Sequence, residues 1–394
     1  MFHENVVPAK LDYRGLVQAL SKSSDFGRSE RTPAIAVIGD YCLDKYLYVY
    51  PSLDEASVET GITAFQVRGK RLFAGVGGTI AGNLRALGAE THCFGVIGDD
   101  GEGYDLLKAL KGIGANVEGV VVSPDVLTGV YMKPMRPDPE TNPECVDESG
   151  RRLPEPGVGT WLEGARIDIR NPVPVSSNLV DKLKRRFLEK LPSFDAVVVS
   201  DQFPTGSESL FSNEFRSFIS EVARKVPDVF FLCDSRFFID AYRNVLVKCN
   251  AYEALDSFNA AHGGEPKRET PLDGNSDANL EKLLRAGRWL AARNARPVLV
   301  TRGALGSLLF EPDAKSAAIK ATSIPPNPVE PPIDICGAGD ATNAGLAFAR
   351  ALGLNLVDAA YVAGVVSSIT IKQIGVTGTA SASQVVDALR SKEN

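Results

Sequence analysis

The sequence has few of the residues on which several common kinds of active site depend. It contains only three histidines, so a histidine-centred catalytic triad or a zinc site is not expected. Its six cysteines are scattered and include no Cys-x-x-Cys pair, a pattern typical of a reducing cytoplasm. No apolar run is long enough to cross a bilayer, and the polar first fifteen residues include no apolar signal core. We therefore expect a cytoplasmic protein with no membrane partner.

An excess of positive charge is also absent. The chain has 43 lysines and arginines against 49 acidic residues, so nothing favours nucleic acid as a partner. Two common phosphate-binding motifs are missing as well. No Gly-x-x-x-x-Gly-Lys-Ser/Thr occurs, and GVGGTIAG fails the Gly-x-Gly-x-x-Gly spacing. An anionic substrate would need a local site of another kind.

The apolar segments that are present indicate an α/β fold. The chain has 394 residues, 44% of them hydrophobic, which is enough for a large core. Short apolar runs such as AIAVIGD, DAVVVSD and VFFLCDSR alternate with helical patterns such as LVDKLKRRFLEKL. This order predicts a doubly wound, mostly parallel sheet with helices on both faces.

Other segments do not fit that sheet. Weakly alternating residues near 41–73, 128–136 and 164–171 predict a small separate sheet over one edge of the main domain, 33–394. Residues 1–32 are predicted to form a short helix and a loose arm. Residues 137–165 are rich in proline, glycine and acid, and predict a long surface loop.

The most informative motif is DICGAGDATNAG, in which Asp340 follows Gly337-Ala338-Gly339. A glycine turn that opens a helix presents free N–H groups to an anion. An acid at that place would repel a resting phosphate, but it could take a proton from a hydroxyl that attacks the phosphate. The sequence therefore indicates a general base beside an anion hole. The alternative, an aspartate that caps a tightly packed helix, is about equally supported by this stretch alone.

Further candidates follow predicted strands. Asp40 and Asp44, in GDYCLD, suit a polyhydroxylated ligand, although a solvated turn explains Asp40 alone better. Asn250 and Glu253, in NAYE, could hold Mg²⁺ through water or could form a helix-capping box.

The TRGALG segment is a third candidate after a strand. Its hydroxyl and glycine turn could contact phosphates or could be an ordinary hairpin.

The order of these motifs resembles the ribokinase-like (PfkB) family of sugar kinases over residues 33–390. GVGGTIAGNLRALGA is similar to the N-terminal signature of the family, DICGAGDATNAGLA to its C-terminal signature, and NAYE to its Asn-x-x-Glu motif. Within the family, GDYCLDKY, VVVSDQFPTG and ITIKQIGVTGTAS most resemble the kinase half of bacterial ADP-heptose synthase.

The resemblance implies an α/β core with a small β lid, which in such kinases often pairs two subunits into a homodimer. It implies transfer of the ATP γ-phosphate to a hydroxyl of a sugar or sugar phosphate with Mg²⁺, and leaves a role for a monovalent cation open. By motif position, the resemblance implies that Asp340 is the base and that Gly337, Ala338 and Gly339 form the anion hole. Asn250 and Glu253 would organise Mg²⁺ and phosphate, with Glu253 nearer the metal, and the nucleotide would contact Thr301, Gly303 and Gly306. The sugar would contact Asp40, Asp44, Gly77, Gly78 and Thr79.

Three positions depart from the family pattern. Thr79 and Cys42 stand where asparagines that contact sugar are usual, and Ile335 replaces a usual threonine. The acceptor could therefore differ from ribose or a heptose. A kinase for a nucleoside or another small alcohol, and a non-catalytic ligand-binding member of the fold, are the competing interpretations.

Basic residues on the predicted lid strands bear on the same question. If they face the cleft, they could bind a phosphate already on the sugar, and if they face outward, they keep the lid soluble. These residues are Lys133, Arg136, Arg166 and Arg170.

Overall fold

The fold is described by a computed structural model. It covers residues 6–24, 32–138, 144–146, 152–154, 156–157, 160–172, 174–204, 210–264, 277–313, 315–316 and 318–392. The strands are β1 Val6–Pro8, β2 Ala34–Gly39, β3 Tyr41–Val49, β4 Glu55–Ala56, β5 Thr63–Ala64, β6 Val67–Val76, β7 Glu90–Phe94, β8 Val96–Gly98, β9 Val121–Ser123, β10 Gly129–Pro137, β11 Glu144–Val146, β12 Arg152–Pro154, β13 Trp161–Glu163, β14 Ile167–Ile169, β15 Ala196–Asp201, β16 Phe230–Ser235, β17 Leu246–Asn250, β18 Val298–Thr301, β19 Ser307–Pro312 and β20 Ile319–Ile324. The helices are α1 Tyr13–Ser24, α2 Gly77–Leu87, α3 Gly101–Gly112, α4 Ser177–Lys190, α5 Asn213–Lys225, α6 Ala251–Ala261, α7 Asp277–Asn294, α8 Ala338–Ala351, α9 Leu356–Thr370 and α10 Ala382–Arg390.

The main sheet has nine strands in the order β1-β20-β19-β18-β17-β16-β15-β2-β7. The strands from β18 through β7 run parallel, whereas β19 is antiparallel to both of its neighbours. After β2 the chain forms the lid and β7 on one side, and later adds β15 on the other side. Ligands of such sheets bind outside the carboxyl ends of the strands, beside this switch in strand order.

Alternate residues of the central strands enter two separate apolar cores. Ile35 and Val37 of β2 pack with α1, α2, α8, α9 and α10, whereas Ala36 and Ile38 pack with α4, α5, α6 and α7 on the opposite face. Strands with both faces buried need continuous apolar runs, which explains why AIAVIG and AVVVSD read as they do. The predicted doubly wound sheet is confirmed.

The lid is a five-stranded sheet in the order β13-β10-β3-β6, with β14 also paired to β10. It confirms the predicted small sheet. The predicted loop over 137–165 differs from the structure, because β11 pairs with β12 as a hairpin and β13 joins the lid. Tyr48 and Tyr50 pack edge-on against Trp161, so the aromatic ring in this segment attaches β13 to the lid core.

The N-terminal segment is less loose than predicted. β1 pairs with β20 and extends the main sheet, and Leu16 and Leu20 of α1 are fully buried beside α10. Residues four apart lie on one face of a helix, so these two leucines dock α1. Residues 25–31, where the predicted arm meets the main domain, lie outside the described residues.

Candidate active site

The candidate residues converge at the carboxyl edge of the main sheet. Asp40 follows β2, Asp234 lies near the end of β16, and Asn250 and Thr301 end the neighbouring strands β17 and β18. Parallel strands end at one edge, so residues far apart in sequence meet there. The helix α8 begins at the same edge, and the lid strand β3 leaves it.

The Gly-Ala-Gly turn and the start of α8 form the centre of this edge. Gly337 is the N-cap of α8, with φ 76, a backbone conformation that favours glycine. Asp340 therefore lies in the first turn and is not the N-cap residue, which removes the capping alternative. Its carboxylate accepts no hydrogen bond from any residue that the structure describes. Burial, together with the negative charge of Asp234, raises the pKa of Asp340 to about 7.

A buried lysine, which the sequence analysis missed, lies beside the turn. Lys248 Nζ is 2.7 Å from Asp234 Oδ2, and a Cβ added to Gly339 would lie 3.1 Å from the same ammonium. Asn343 Nδ2 of α8 donates to Asp234 Oδ2 across 2.6 Å. Burial disfavours the charged lysine, but the carboxylates of Asp234 and Glu253 raise the pKa of Lys248 overall. A lysine inside the apolar strand LVKCN was the signal that could have identified it.

Asn250 and Glu253 form a capping box at the start of α6. Asn250 Oδ1 accepts from the N–H of Glu253 at 2.9 Å, and Glu253 Oε2 accepts from the N–H of Asn250 at 2.8 Å. Glu253 nevertheless lies close enough to Asp234 for its pKa to be raised by burial and then by that charge. Carboxylate oxygens are ligands that Mg²⁺ prefers, and they can hold the ion through water. Among the described residues, no cluster of three or more His, Cys, Asp or Glu side chains could hold a metal directly.

The Thr301–Gly306 turn borders a groove that leads away from the anion hole. Gly303 and Gly306 have positive φ angles of 56° and 75°, a backbone conformation that favours glycine. A Cβ on Gly306 would also collide with the Ile324 carbonyl oxygen. A cavity of about 260 Å³ is lined by this turn and by Ala338 and Gly339. A second cavity, of about 470 Å³, lies on the other side of the turn against α6 and α7, and reaches Asn250.

The two predicted sugar-binding acids have different surroundings. Asp40 is buried rather than solvated, and its Oδ2 accepts from the N–H groups of Gln202 and Phe203 at 2.9 and 3.0 Å. Burial, followed by the charge of Asp201, raises the pKa of Asp40 to about 7. Asp44, by contrast, is part-exposed on the cleft face of the lid, close to Asp340.

Gly77, Gly78 and Thr79 form the first turn of α2, where the lid joins the main domain. The Thr79 hydroxyl is directed toward the Ala74 carbonyl oxygen at 3.4 Å, and its methyl group would lie 3.2 Å from a Cβ on Gly337. Thr79 thus packs against the anion-hole turn. Sugar contacts by these three residues stay predictions.

The basic residues of the lid fall into two groups, those close to Asp44 and those with other neighbours. Lys133 Nζ lies 3.1 Å from the Tyr46 hydroxyl and 4.0 Å from Asp44 Oδ1, so it faces the cleft. Arg166 lies over the Tyr131 ring at 4.3 Å, and Tyr131 is paired with Asp44 in the sheet. Arg170 lies 3.4 Å from Asp168, the neighbour that Arg166 also contacts, whereas the exposed Arg136 lies over Phe65. Positive charge therefore borders the Asp44 side of the cleft.

Fold and site together define an α/β enzyme with a lidded cleft, of the class of small-molecule kinases. The model of the pfkB family carbohydrate kinases matches residues 33–142 and 176–382. The chain belongs to this family, whose carbohydrate kinase activity implies the use of ATP. No helix among the described residues has the length and apolar character of a membrane span.

Two curated relatives of this chain have the same name. The chain is 26% identical over 356 residues to the Bifunctional protein HldE of Geobacter metallireducens, covering 90% of this chain and 62% of that protein. It is 27% identical over 359 residues to the protein of the same name from Trichlorobacter lovleyi, covering 90% and 62%. The chain thus spans less than two thirds of the length of these relatives.

Solved structures with the same fold include ribokinases and a phosphofructokinase. The ribokinase of Arabidopsis thaliana, complexed with ribose and ATP, superposes with a TM-score of 0.60 at 17% identity, covering 91% of this chain and 99% of that one. Phosphofructokinase-2 of Escherichia coli, in complex with fructose-6-phosphate, gives 0.61 at 16% identity, covering 92% and 100%. At these identities the likeness concerns the fold alone.

Proposed function

We propose that this chain transfers the γ-phosphoryl group of ATP to a hydroxyl of a sugar that already carries a phosphate. The observation that carries the proposal is the position of Asp340. Its carboxylate has a pKa of about 7 and lies in the first turn behind Gly337–Gly339, with the Lys248 ammonium beside Gly339. A base whose pKa lies near the working pH is suited to accept a proton from a hydroxyl.

In the proposed reaction, Asp340 accepts the proton of the acceptor hydroxyl. The oxygen of that hydroxyl forms a bond to the γ-phosphorus at the same time. The bond from that phosphorus to the β–γ bridging oxygen breaks, and ADP leaves with the electron pair. The N–H groups of Gly337 and Gly339 and the Lys248 ammonium stabilise the negative charge on the transferred group, whereas the N–H of the predicted third member, Ala338, donates to the Ile335 carbonyl oxygen at 3.1 Å. Asp234 and Asn343 hold Lys248 in place.

Asn250 and Glu253 would hold Mg²⁺ through water, and the ion would supply positive charge that stabilises the leaving group. Thr301, Gly303 and Gly306 would contact the nucleotide, because they border the groove that begins at Gly339.

The acceptor side supports a phosphorylated sugar. Asp44 offers carboxylate oxygens to sugar hydroxyls. Lys133 and Arg166 both favour the charged form of Asp44, so their cationic groups lie within electrostatic reach of the proposed sugar position. Arg236, from the loop after β16, acts electrostatically on both Tyr131 and Asp340, and adds a cation from the main domain. Converging cations of this kind suit a phosphate group.

The first test is an ADP-release assay with Mg-ATP and a panel of sugars, sugar phosphates and nucleosides. Asp340→Asn is the blank, and Asp387→Asn, an exposed acid on α10, is the matched control. We expect a sugar phosphate to give activity that falls about 10²–10⁴-fold in the blank only. Activity with a nucleoside alone would favour the alternative acceptor, and ATP binding without turnover would favour a non-catalytic protein.

A second comparison tests the phosphate on the acceptor. Arg166→Gln should raise the KM for the sugar phosphate about 10-fold, as expected for loss of a charge-assisted contact, and leave the KM for ATP unchanged. Arg136→Gln, on the same lid but over Phe65, is the matched control. Equal effects of the two variants would mean that Arg166 does not contact the acceptor.

Two further features belong to the proposal. The lid exposes Phe65 and Leu162, with 57% and 53% of their surface accessible, which supports a homodimer through the lid. Light scattering of the wild type and of Phe65→Asp would test it.

The cysteines that the structure describes as free thiols are consistent with a cytoplasmic location. They are Cys42, Cys93, Cys233, Cys249 and Cys336.

A further inference from the structure

One carboxylate of the lid holds two arginines. Asp168 Oδ1 accepts from Arg166 Nε at 2.7 Å, and Asp168 Oδ2 accepts from Arg170 Nη2 at 3.4 Å. The two oxygens of a single carboxyl group therefore bring two guanidinium groups together. Arg166 and Arg170 keep 47% and 48% of their side-chain surface accessible, so a ligand can reach both.

The strand register places this carboxylate on the cleft face of the lid. Asp168 of β14 is opposite Tyr131 of β10, and Tyr131 is opposite Asp44 of β3. Residues opposite one another in a sheet project from the same face. The Tyr131 ring meets the ring of Phe203, which follows β15 in the main domain, with 6.4 Å between the centroids. The face that carries Asp44, Tyr131 and Asp168 is therefore turned toward the main domain.

The two arginines border different parts of the proposed acceptor position. Arg166 lies over the Tyr131 ring at 4.3 Å, and its charge acts on Asp44. Arg170 and Tyr131 line a cavity of about 50 Å³ between the lid and the main domain. A guanidinium has five N–H donors in a planar fork, so one bond to Asp168 does not exhaust them.

We propose that Asp168 is a positioning residue, which holds Arg166 and Arg170 in the orientation that binds the phosphate of the acceptor. This inference rests on the proposed function, in which the acceptor is a sugar that carries a phosphate. Long arginine side chains lose rotational freedom when they bind a ligand, and a carboxylate that fixes them beforehand lowers that cost. Asp168 acts through the arginines rather than on the acceptor itself.

Charge and position predict opposite effects when Asp168 is neutralised. By charge alone, the removal of an anion beside two cations would strengthen the binding of a phosphate. Asp168→Asn, however, keeps only one oxygen, so it can hold one guanidinium but not both. If position dominates, phosphate binding weakens although the net positive charge of the site has increased.

Steady-state kinetics with a matched pair of acceptors test the inference. The pair is the sugar phosphate that gives the greatest activity in the ADP-release panel and its parent sugar without the phosphate. In Asp168→Asn the KM for the sugar phosphate should rise about 10-fold, as expected for a disturbed charge-assisted contact. The KM for the parent sugar, the KM for ATP and kcat should stay at wild-type values. Asp168→Glu retains both oxygens and should restore most of the difference.

Inorganic phosphate is a second probe, which does not require the parent sugar to be a substrate. At saturating Mg-ATP, which would occupy the anion hole, it should inhibit wild type in competition with the sugar phosphate. Inhibition of Asp168→Asn should be about 10-fold weaker. Glu163→Gln is the matched control, because Glu163 of β13 also favours the charged form of Arg166, but through its charge. This variant should keep both constants close to those of wild type.

The outcomes separate positioning from other roles of Asp168. An unchanged or lower KM for the sugar phosphate in Asp168→Asn would overturn the inference while leaving the proposed function intact. An equal rise in Glu163→Gln, or an equal rise for the parent sugar, would also overturn it. A lower thermal midpoint with changes in kcat and in the KM for ATP would assign Asp168 a structural role instead. Absence of wild-type activity with every sugar phosphate would overturn the proposed function and this inference together.

Discussion

Lys248 and Asp234 form a buried ion pair, 2.7 Å from Nζ to Oδ2, directly behind the Gly-Ala-Gly turn. A buried charge needs such a partner, and the pair is completed by Asn343. The arrangement places a fixed positive charge beside Gly339 and a fixed negative charge near Asp340. Because Lys248 lowers and Asp234 raises the pKa of Asp340, the pair adjusts the proposed base as well as the anion hole.

The pH dependence of kcat/KM follows from this arrangement. A general base must be ionised, so we expect the rate to increase with pH and to level off above about 7, the pKa of Asp340. Lys248→Met removes a charge that favours the ionised form, so the acidic limb should move to higher pH. Lys248→Arg retains the charge and should keep the limb near its wild-type position. An unchanged limb in Lys248→Met would show that another group controls the profile.

Two capping boxes allow the metal role of Glu253 to be separated from its structural role. Glu253→Gln removes the charge but keeps an oxygen that can accept from the Asn250 N–H, so stability should change little while the Mg²⁺ requirement increases. Ser381→Ala disrupts the other capping box, on α10, and should cost about 1 kcal/mol without affecting the Mg²⁺ titration. A wild-type Mg²⁺ titration in Glu253→Gln would leave Glu253 with a capping role only.

The buried pair of Arg216 and Asp201 predicts a large loss of stability on truncation. Arg216 Nε lies 2.9 Å from Asp201 Oδ2, and both side chains are almost completely buried. Arg216→Met leaves the Asp201 carboxylate without its cation, so we expect the free energy of unfolding to fall by about 3–5 kcal/mol in urea denaturation. The control, Arg285→Met, breaks the exposed pair with Glu281 on α7 and should cost under about 1 kcal/mol. Similar losses in both variants would contradict the prediction.

Replacement of Asp40 by asparagine should stabilise the protein by an amount that depends on pH. The pKa of Asp40 is raised from 3.8 to about 7 in the folded protein, so its contribution to stability is complete below about pH 4 and is lost as the pH increases through 7. Asp40→Asn keeps an oxygen for the Gln202 and Phe203 N–H groups but cannot ionise. Relative to wild type, the variant should gain about 1.4 kcal/mol per pH unit across that window. A pH-independent difference in urea denaturation would refute it.

The sequence could predict a large part of the fold. Strands such as Ala34–Gly39 are buried on both faces, so every residue must be apolar or small and the sequence shows a continuous apolar run. The lid strands β3, β6 and β10 are only partly buried, and their weaker alternation also indicated their place. By contrast, β11, β12 and β13 are three-residue strands in a proline- and glycine-rich segment. β11 and β12 pair with each other, but three residues are too few to show the alternation of a strand, and β13 pairs with β10, which lies much earlier in the chain.

The candidate site divides in the same way. Asp340 and its glycine turn could be identified because the chemistry depends on residues adjacent in the chain. The sequence could not identify the cluster of Lys248, Asp234 and Asn343. These residues lie on two neighbouring strands and a helix, and only the fold brings their side chains into contact.

By itself, the sequence determined the alternation of strands and helices, the glycine turn with its acid, and the motifs that resemble a kinase family, because each is written in neighbouring residues. The tertiary structure alone decided which side chains are buried together, which lid cations face the cleft, and that Asn250 and Glu253 cap a helix. The physical reason is that burial and charge pairing depend on distances in space, and the close approach of strand ends at one sheet edge sets those distances.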